Sequence, residues 1–331
     1  MSRTLRRAAL AAGAATAVAT ATVLVALPAN AAGNYTAFVF SNGSTQPNIY
    51  NFINSATTTL DMTMYELEDT TAVNDLIARE NAGVTVRVVL DGAHTSANSS
   101  AYSKLKAAGV GVVYSSTTNY VYTHQKTITV NGAESLILTG NLTSQYYSTG
   151  RDYGVFDSNQ IDVNAIEKAF DQDYALTAFT ATDGDNLLWS PNTAQTRLLS
   201  IINGATKTLD VEELEFSDTA IVNAIAARAS AGVKVRIVVE TPSSYASELA
   251  TVKAAGATVK GYSSSTGTYI HAKVMVADYG LSTGKTEVGS MNISSNSLGN
   301  NRELGIITTD TGVASTVETQ FAGDYANGAT Y

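Results

Sequence analysis

Residues 53–61, which read INSATTTLD, recur almost unchanged at residues 202–210 as INGATKTLD. The offset between the two segments is 149 residues, and at this offset the tripeptide AGV of residues 82–84 returns at residues 231–233. An offset of this size is that of a whole domain, whereas solenoids repeat every 20 to 50 residues or so. The sequence therefore predicts a duplication of one domain-sized unit.

The first copy has the pattern of an α/β unit. β-Branched and apolar residues predict strands at residues 58–65 and 84–90. Between these strands, Asp69 is a candidate helix cap, and Gly83 ends a stretch whose apolar residues recur at helical spacing. A shorter helix is predicted at residues 100–108.

A hairpin follows in the same copy. Strands are predicted at residues 122–130 and 134–138, and Asn131 with the glycine after it is a strong turn signal between them. The second copy repeats this pair of strands between residues 270 and 288. The predicted fold is α/β, with two tandem repeats that are each a mixed β-sheet flanked by helices, packed about a pseudo-twofold axis.

The boundaries of the repeats follow from a polar break near residues 182–185. We place the first repeat at residues 32–182 and the second at 183–331. Residues 1–31 contain three arginines, a charge-free apolar run and small residues at the end, which together predict a cleaved signal peptide and a secreted protein. A retained membrane anchor is the alternative. No later stretch approaches the ~18 apolar residues that a membrane span needs.

The composition excludes several kinds of site. The chain has 29 acidic and 20 basic residues, three histidines and no cysteine, so disulfides, cysteine-based metal sites and cysteine nucleophiles are excluded. Removal of the three arginines of the leader leaves 17 bases against 29 acids, a net charge of −12. A chain this acidic attracts nucleic acid poorly by charge alone.

Two of the three histidines occupy equivalent places in the repeats. His124 and Lys126 in the first copy correspond to His271 and Lys273 in the second. Residues two apart on a strand face the same side, so each pair would present an imidazole and an ammonium together. The third histidine, His94, has no counterpart in the second copy, and we interpret it as a rim or surface residue.

Matched polar residues follow each histidine pair. Asn141 corresponds to Asn292, and eleven residues beyond each asparagine stands an acid, Asp152 or Glu303. Two convergent sets of titratable and cationic groups are typical of a catalytic site. A carboxylate bonded to one imidazole nitrogen fixes the tautomer of the ring, the role that we assign to the two acids. The sequence leaves open which acid serves which histidine.

These motifs resemble the motif of the phospholipase D superfamily. In that motif four residues separate His-x-Lys from an Asp, and six residues separate the Asp from Gly-Ser-x-Asn. The second copy matches it with a longer loop before the glycine, through His271, Lys273, Asp278, Gly289, Ser290 and Asn292. The first copy keeps the spacing but departs from the pattern in having Asn131 for Asp, Leu138 for Gly and Thr139 for Ser. All of the groups that would react are present in both copies.

The resemblance implies a two-step phosphodiester cleavage in which one histidine forms a phosphohistidine and the other acts as acid and then base. It implies that the first-motif histidine, His124, is the nucleophile. Both lysines and both asparagines would bind phosphoryl oxygens, with Ser290 and Thr139 as supporting donors. Asp278, Asn131 and Gly289 would hold the motifs in shape. We expect no metal and no other cofactor, because the lysines supply the positive charge.

Three functions fit these motifs. The preferred one is a phospholipase D that hydrolyses phosphatidylcholine-type lipids, touching the lipid interface transiently without spanning it. The alternatives are a metal-independent endonuclease and a phosphate- or phospholipid-binding protein with a decayed first motif. Residues 115–122 and 262–269, which lead to the two histidines, are rich in Tyr, Ser and Thr and contain no Lys or Arg, which favours lipid over nucleic acid. Because one chain carries both motifs, we expect a monomer. The headgroup and the choice between hydrolysis and headgroup transfer stay open.

Overall fold

The computed structural model describes residues 35–40, 45–263, 265 and 267–331. The predicted signal peptide lies outside these residues. The described part of the chain forms two eight-stranded mixed sheets flanked by helices, one sheet for each repeat, so the predicted α/β fold of two tandem repeats is confirmed.

The first repeat contains seven strands and four α-helices within the described residues. They are β1 (Tyr35–Phe40), α1 (Gln46–Asn54), β2 (Thr59–Met64), α2 (Thr70–Asn81), β3 (Thr85–Leu90), α3 (Thr95–Ala107), β4 (Gly111–Tyr114), β5 (Thr127–Val130), β6 (Glu134–Leu138), β7 (Gly150–Asp157) and α4 (Gln160–Tyr174). Their order in the sheet is β1-β7-β6-β5-β2-β3-β4, and the eighth strand, residues Tyr269–Ile270 of the second repeat, pairs with β7. A short 3-10 helix, Ser144–Tyr146, precedes β7.

The second repeat has the same layout with additional short strands. Its elements are β8 (Leu187–Ser190), α5 (Ala194–Gly204), β9 (Thr208–Glu213), α6 (Thr219–Ser230), β10 (Lys234–Glu240), α7 (Ala246–Ala254), β11 (Thr258–Tyr262), β12 (Tyr269–Ile270), β13 (Lys273–Ala277), β14 (Lys285–Gly289), α8 (Ser295–Gly299), β15 (Glu303–Thr308), α9 (Thr311–Asn327) and β16 (Ala329–Thr330). The strand order, β16-β11-β10-β9-β13-β14-β15-β8, matches that of the first sheet.

The parallel part of each sheet brings loop residues together at one edge. β2, β3 and β4 are parallel to one another, as are β9, β10 and β11. The other neighbouring strands are antiparallel, except that β12 pairs with β7 in parallel. The carboxyl ends of parallel strands meet at a common edge, where α/β proteins place their sites. The residues that follow β2 and β3 therefore lie near one another in the first sheet, as do those that follow β9 and β10 in the second.

The segments that carry the histidines differ from the prediction. The continuous strand expected at residues 122–130 begins only at Thr127, and its counterpart in the second repeat is interrupted after Ile270. The reason is that each segment leaves its own sheet and pairs with the other repeat. Thr123 forms a parallel bridge with Arg302, and β12 pairs with Gly150 and Arg151 of β7.

Apolar packing joins the two repeats. Two clusters of buried side chains belong to one repeat each, and a third contains residues of both, among them Tyr153, Trp189, Ile270 and Phe321. The histidine segment of each repeat pairs with a strand or loop of the other repeat, an exchange of segments. This exchange and the shared core hold the repeats against each other about an approximate twofold axis. No helix in the described part of the chain has the length and apolar character needed to cross a bilayer.

Candidate active site

Each histidine is held in place by the backbone of the opposite repeat. The N–H of His124 donates to the carbonyl of Arg302 at 2.9 Å, and the N–H of His271 donates to the carbonyl of Arg151 at 3.1 Å. These carbonyls belong to the residues just before the two acids. The exchange therefore sets each imidazole beside the carboxylate of the other repeat.

The pairing of acids and histidines, which the sequence left open, is crossed. Nδ1 of His124 lies 2.8 Å from Oε2 of Glu303, and Nδ1 of His271 lies 2.9 Å from Oδ1 of Asp152. A carboxylate at Nδ1 keeps the proton there and leaves Nε2 as the ring nitrogen that reacts. Both imidazoles are only slightly exposed, 12% for His124 and 14% for His271.

Hydroxyl groups hold the two carboxylates from behind. The Thr139 hydroxyl donates to Oδ1 of Asp152 at 2.6 Å, and the Ser290 hydroxyl donates to Oε2 of Glu303 at 2.8 Å. Both hydroxyl residues are fully buried. In this structure their protons are directed at the acids, so they position the carboxylates. That they also help to bind phosphate stays a prediction. Ser297, at 2.5 Å from Oε1 of Glu303, was missed by the sequence analysis.

The surroundings keep the carboxylates charged and the imidazoles neutral. Burial alone would raise the pKa of Asp152 and of Glu303, but their histidine partners and the lysines hold the pKa of both acids below the usual range. Burial lowers the pKa of His124 to about 4, against the attraction of Glu303, and also lowers the pKa of His271. Both rings are therefore neutral in the free protein near pH 7.

The two lysines lie buried beneath the histidines. Nζ of Lys126 donates to the carbonyl of His124 at 2.6 Å, and Nζ of Lys273 donates to the carbonyl of His271. Burial and the charge of Lys273 lower the pKa of Lys126 to about 7. Burial also lowers the pKa of Lys273. The pair thus forms a positive region that a bound anion would stabilise strongly.

The two asparagines line the same pocket as the histidines. Nδ2 of Asn141 donates to Oε2 of Glu66 at 3.2 Å. Oδ1 of Asn141 and Oδ1 of Asn292 are buried without a hydrogen-bond partner, which is unusual for buried polar atoms outside functional sites. Each amide oxygen can therefore accept a hydrogen bond from a ligand in this pocket, while a phosphoryl oxygen would be bound by the Nδ2 group.

The pocket between the repeats has a volume of about 830 Å³. Its lining combines the histidines, aromatic rings and acidic side chains, and no lysine or arginine of the described residues belongs to it. The lining includes Tyr65, Glu66, Tyr146, Leu214, Glu215 and Tyr269. A volume of this size admits a drug-sized ligand or the polar part of a lipid.

Two further carboxylates, which the sequence analysis did not assign, support the histidine segments. Oδ1 of Asp91 accepts a hydrogen bond from the N–H of Thr123 at 2.6 Å, and Oε2 of Glu240 accepts one from the N–H of Ile270 at 3.0 Å. Asp91 and Glu240 are equivalent at the 149-residue offset. The sequence feature that could have revealed these two acids is their equivalent position at the ends of β3 and β10.

The residues expected to keep the motifs in shape do so through backbone contacts. Oδ1 of Asn131 accepts from the N–H groups of residues 57–58 at 2.9 Å, and Asp278 accepts from those of residues 206–208 at 2.6 to 3.2 Å. Burial would raise the pKa of Asp278, yet these hydrogen bonds keep that pKa at about 2. In the first repeat the amide oxygen of Asn131 makes similar contacts, so these backbone N–H groups are bound there without a charged side chain.

The glycine of the second motif marks a close approach of two strands. A Cβ on Gly289 would lie 2.6 Å from Cα of Gly305, its partner on β15. In the first repeat Leu138 faces Gly154, whose missing side chain leaves room for the leucine. Leu138 therefore fits without moving Asn141 out of the pocket.

We expect an acidic optimum for kcat/KM, between about pH 4 and about pH 7. Below about 4 the imidazole of His124, the predicted nucleophile, would be protonated. Towards higher pH the predicted proton donor His271, whose pKa is lowered by burial, loses its proton first, and above about 7 the ammonium of Lys126 would lose its charge as well. A bound phosphodiester anion favours the protonated forms, so the kcat profile should lie at higher pH than the kcat/KM profile.

Initial rates at low and at saturating substrate, measured across pH, separate the two profiles. Circular dichroism at each pH checks that the protein stays folded. A kcat/KM optimum above about pH 8 would contradict the lowered pKa values of both His271 and Lys126.

The described residues define a class of site. Two histidines, each bonded to a carboxylate and backed by a buried lysine, face one pocket, which is the arrangement that phosphoryl transfer through a histidine requires. Among these residues no group of three or more His, Asp or Glu side chains is placed to hold a metal ion.

Comparison with known families agrees with this class. The model of the family described as "Cardiolipin synthase, PLD-like domain" matches residues 49–174 and 198–325, so the chain belongs to this family and contains two of its units. The resemblance to the phospholipase D superfamily is thereby confirmed. No curated protein sequence matches the chain.

Solved structures show the same fold at low sequence identity. The phosphatidylserine synthase of Haemophilus influenzae Rd KW20 is similar with a TM-score of 0.68 at 13% identity, covering 90% of this chain and 87% of that one. A polyphosphate kinase from Porphyromonas gingivalis has a TM-score of 0.67 at 14% identity and covers 88% of this chain. This chain spans 50% of the length of that kinase. At these identities the likeness concerns the fold alone.

Proposed function

We propose that the protein is a secreted phospholipase D that hydrolyses phosphatidylcholine-type glycerophospholipids to phosphatidic acid and a free headgroup. The observation that carries the proposal is a pocket of about 830 Å³ whose described lining contains both histidines, aromatic rings and acids, but no lysine or arginine. A nuclease would gain from basic side chains along such a pocket.

In the first step, Nε2 of His124 attacks the phosphorus and the bond to the headgroup oxygen breaks. His271 gives a proton to that oxygen, so the headgroup leaves as a neutral hydroxyl group. Glu303 stabilises the charge that develops on His124, and Asp152 orients His271. Transfer of the proton contributes about 10²–10⁴ in rate.

In the second step, His271 takes a proton from water, whose oxygen attacks phosphorus as the bond to His124 breaks. The products are phosphatidic acid and the free histidine, with His271 protonated as before. Lys126, Lys273, Asn141 and Asn292 would hold the phosphoryl oxygens in both steps. The anionic phosphate, placed beside both imidazoles and both lysines, raises the pKa of His271 and so allows it to carry the proton.

A side-by-side assay tests the substrate. We expect choline release from phosphatidylcholine in micelles to exceed degradation of plasmid or single-stranded DNA, and to continue in excess EDTA, since the lysines supply the positive charge. Salt is varied in both arms, because binding of nucleic acid weakens steeply with salt.

DNA cleavage without formation of choline or phosphatidic acid would contradict the proposal and favour the endonuclease. Complete loss of activity in EDTA would contradict the metal-independent mechanism. The variant His124→Ala is the control that separates catalysis at this site from a contaminating enzyme. Gel filtration of the same preparation tests the expected monomer.

A further inference from the structure

The twofold symmetry of the repeats is broken around the two histidines. Glu66 and Glu215 are equivalent at the 149-residue offset and both line the pocket, but the residue before them is Tyr65 in the first repeat and Leu214 in the second. His94 has Ser243 as its counterpart at the same offset. The two ends of the pocket therefore differ in shape, although their reacting groups are alike.

The end near His124 is filled by rings of the protein itself. The ring of Tyr65 packs edge-on against His124 with centroids 4.6 Å apart, and also against His94 at 4.8 Å. Tyr122 stacks on His94 at 5.6 Å. Nζ of Lys126 lies 5.3 Å from the centroid of Tyr65, so this ring already interacts with a cation of the protein.

The end near His271 is open and is lined by rings whose faces carry no cation of the described residues. Tyr269 lies 5.6 Å from His271, and Tyr146 lies 6.2 Å from Tyr269 between ring centroids. Both tyrosines line the pocket, and Tyr146 is 49% exposed. No lysine or arginine head group in the described part of the chain lies over either ring.

Negative charge surrounds the same rings. Glu215 and Glu240 line this end of the pocket beside Tyr269, and Asp152 lies behind His271. Burial, and after it the charges of Asp152, Glu240 and Glu215, raise the pKa of the Tyr269 phenol. Of the three carboxylates, Asp152 and Glu240 are held by hydrogen bonds to the protein, so Glu215 is the one most available to a ligand.

We propose that Tyr269, Tyr146 and Glu215 form a subsite for the ammonium group of a phospholipid headgroup, such as that of choline or ethanolamine. This inference rests on the proposed function and names the headgroup class that the site accepts. A cation gains about 0.5–2 kcal/mol over an aromatic face, and the nearby carboxylate adds to the attraction.

The position of the subsite fixes the direction of the reaction. With the headgroup beside Tyr269, its oxygen lies next to His271, which then supplies the proton. His124 attacks from the opposite side of the phosphorus, where the ring of Tyr65 packs against His124 and already interacts with Lys126. The structure thus gives a reason, independent of the family resemblance, for assigning the nucleophile to His124.

The test compares phosphatidylcholine with its uncharged carbon isostere, phosphatidyl-3,3-dimethylbutanol, each diluted in neutral detergent micelles. We expect the wild-type protein to prefer phosphatidylcholine by about tenfold or more in kcat/KM, and Glu215→Gln to lose most of this preference. Glu66→Gln, at the equivalent place near His124, is the matched control. It should affect both lipids alike and leave their ratio within about twofold.

Binding of tetramethylammonium, measured by calorimetry, separates the subsite from the lipid activity. We expect binding to the wild-type protein and to Glu66→Gln, and its loss in Glu215→Gln and in Tyr269→Leu. Hydrolysis of both lipids at equal rates by the wild-type protein would overturn the subsite but not the phospholipase. Binding of tetramethylammonium with no hydrolysis of either lipid would overturn the phospholipase and leave the subsite standing.

Discussion

His124→Ala should lower phosphatidylcholine hydrolysis by at least about 10⁴-fold, because it removes the atom that forms the covalent intermediate. His271→Ala should lower it by about 10²–10⁴-fold, because it removes the proton donor and later the base. The double variant should be little worse than His124→Ala alone, since the two imidazoles act as one unit.

An activated ester separates the two roles. When the headgroup of the lipid is replaced by p-nitrophenol, the leaving group needs no proton, so His271→Ala should still release one equivalent of p-nitrophenol in a burst. His124→Ala should show no burst. Mass spectrometry at alkaline pH, where phosphohistidine survives, should find the phosphatidyl adduct on the peptide that contains His124.

Two outcomes would contradict the assignment. An adduct on His271, with the burst kept by His124→Ala, would reverse the direction of the reaction and move the headgroup to the other end of the pocket. Near-native hydrolysis by either single variant would contradict the paired site itself. Unchanged binding of tetramethylammonium by the His124→Ala variant checks that the pocket is intact.

Much of this architecture was readable from the sequence because it depends on local pattern. The repeated segments and the turn at Asn131 depend on neighbours in the chain, so they predicted the duplication and the hairpin. The crossed pairing could not be predicted, because His124 and Glu303 are 179 residues apart and meet only through exchange of backbone segments. The same exchange explains why residues 122–126 do not continue β5.

The roles of the smaller motif residues were also beyond the sequence. Thr139 and Ser290 stand in the motif beside the asparagines that are predicted to bind phosphate. A hydroxyl donates in whichever direction its acceptor lies, and here the acceptors are Asp152 and Glu303. The asymmetry between Tyr65 and Leu214 is visible in the repeat alignment. Its meaning depends on which rings surround each position in space.

Because each acid contacts the histidine of the other repeat, substitution of an acid in one repeat should impair the histidine of the other repeat. Glu303→Gln, in the second repeat, should impair His124 of the first, and Asp152→Asn should impair His271. Each should lower phosphatidylcholine hydrolysis by about 10²–10⁴-fold, because an amide in place of the carboxylate no longer holds the required tautomer or stabilises the imidazolium.

The p-nitrophenol ester tells the two acids apart. Asp152→Asn should keep the burst, as His271→Ala does, because only the proton donor is affected. Glu303→Gln should slow the burst strongly, since the nucleophile loses the partner that stabilises its positive charge. Pairing within each repeat would give the reverse, a slow burst in Asp152→Asn and a fast one in Glu303→Gln. The two acids occupy equivalent positions in the repeats, so the direction of the difference shows which histidine each acid serves. With His124 as the nucleophile, only the exchange of the histidine segments gives the slow burst to Glu303→Gln.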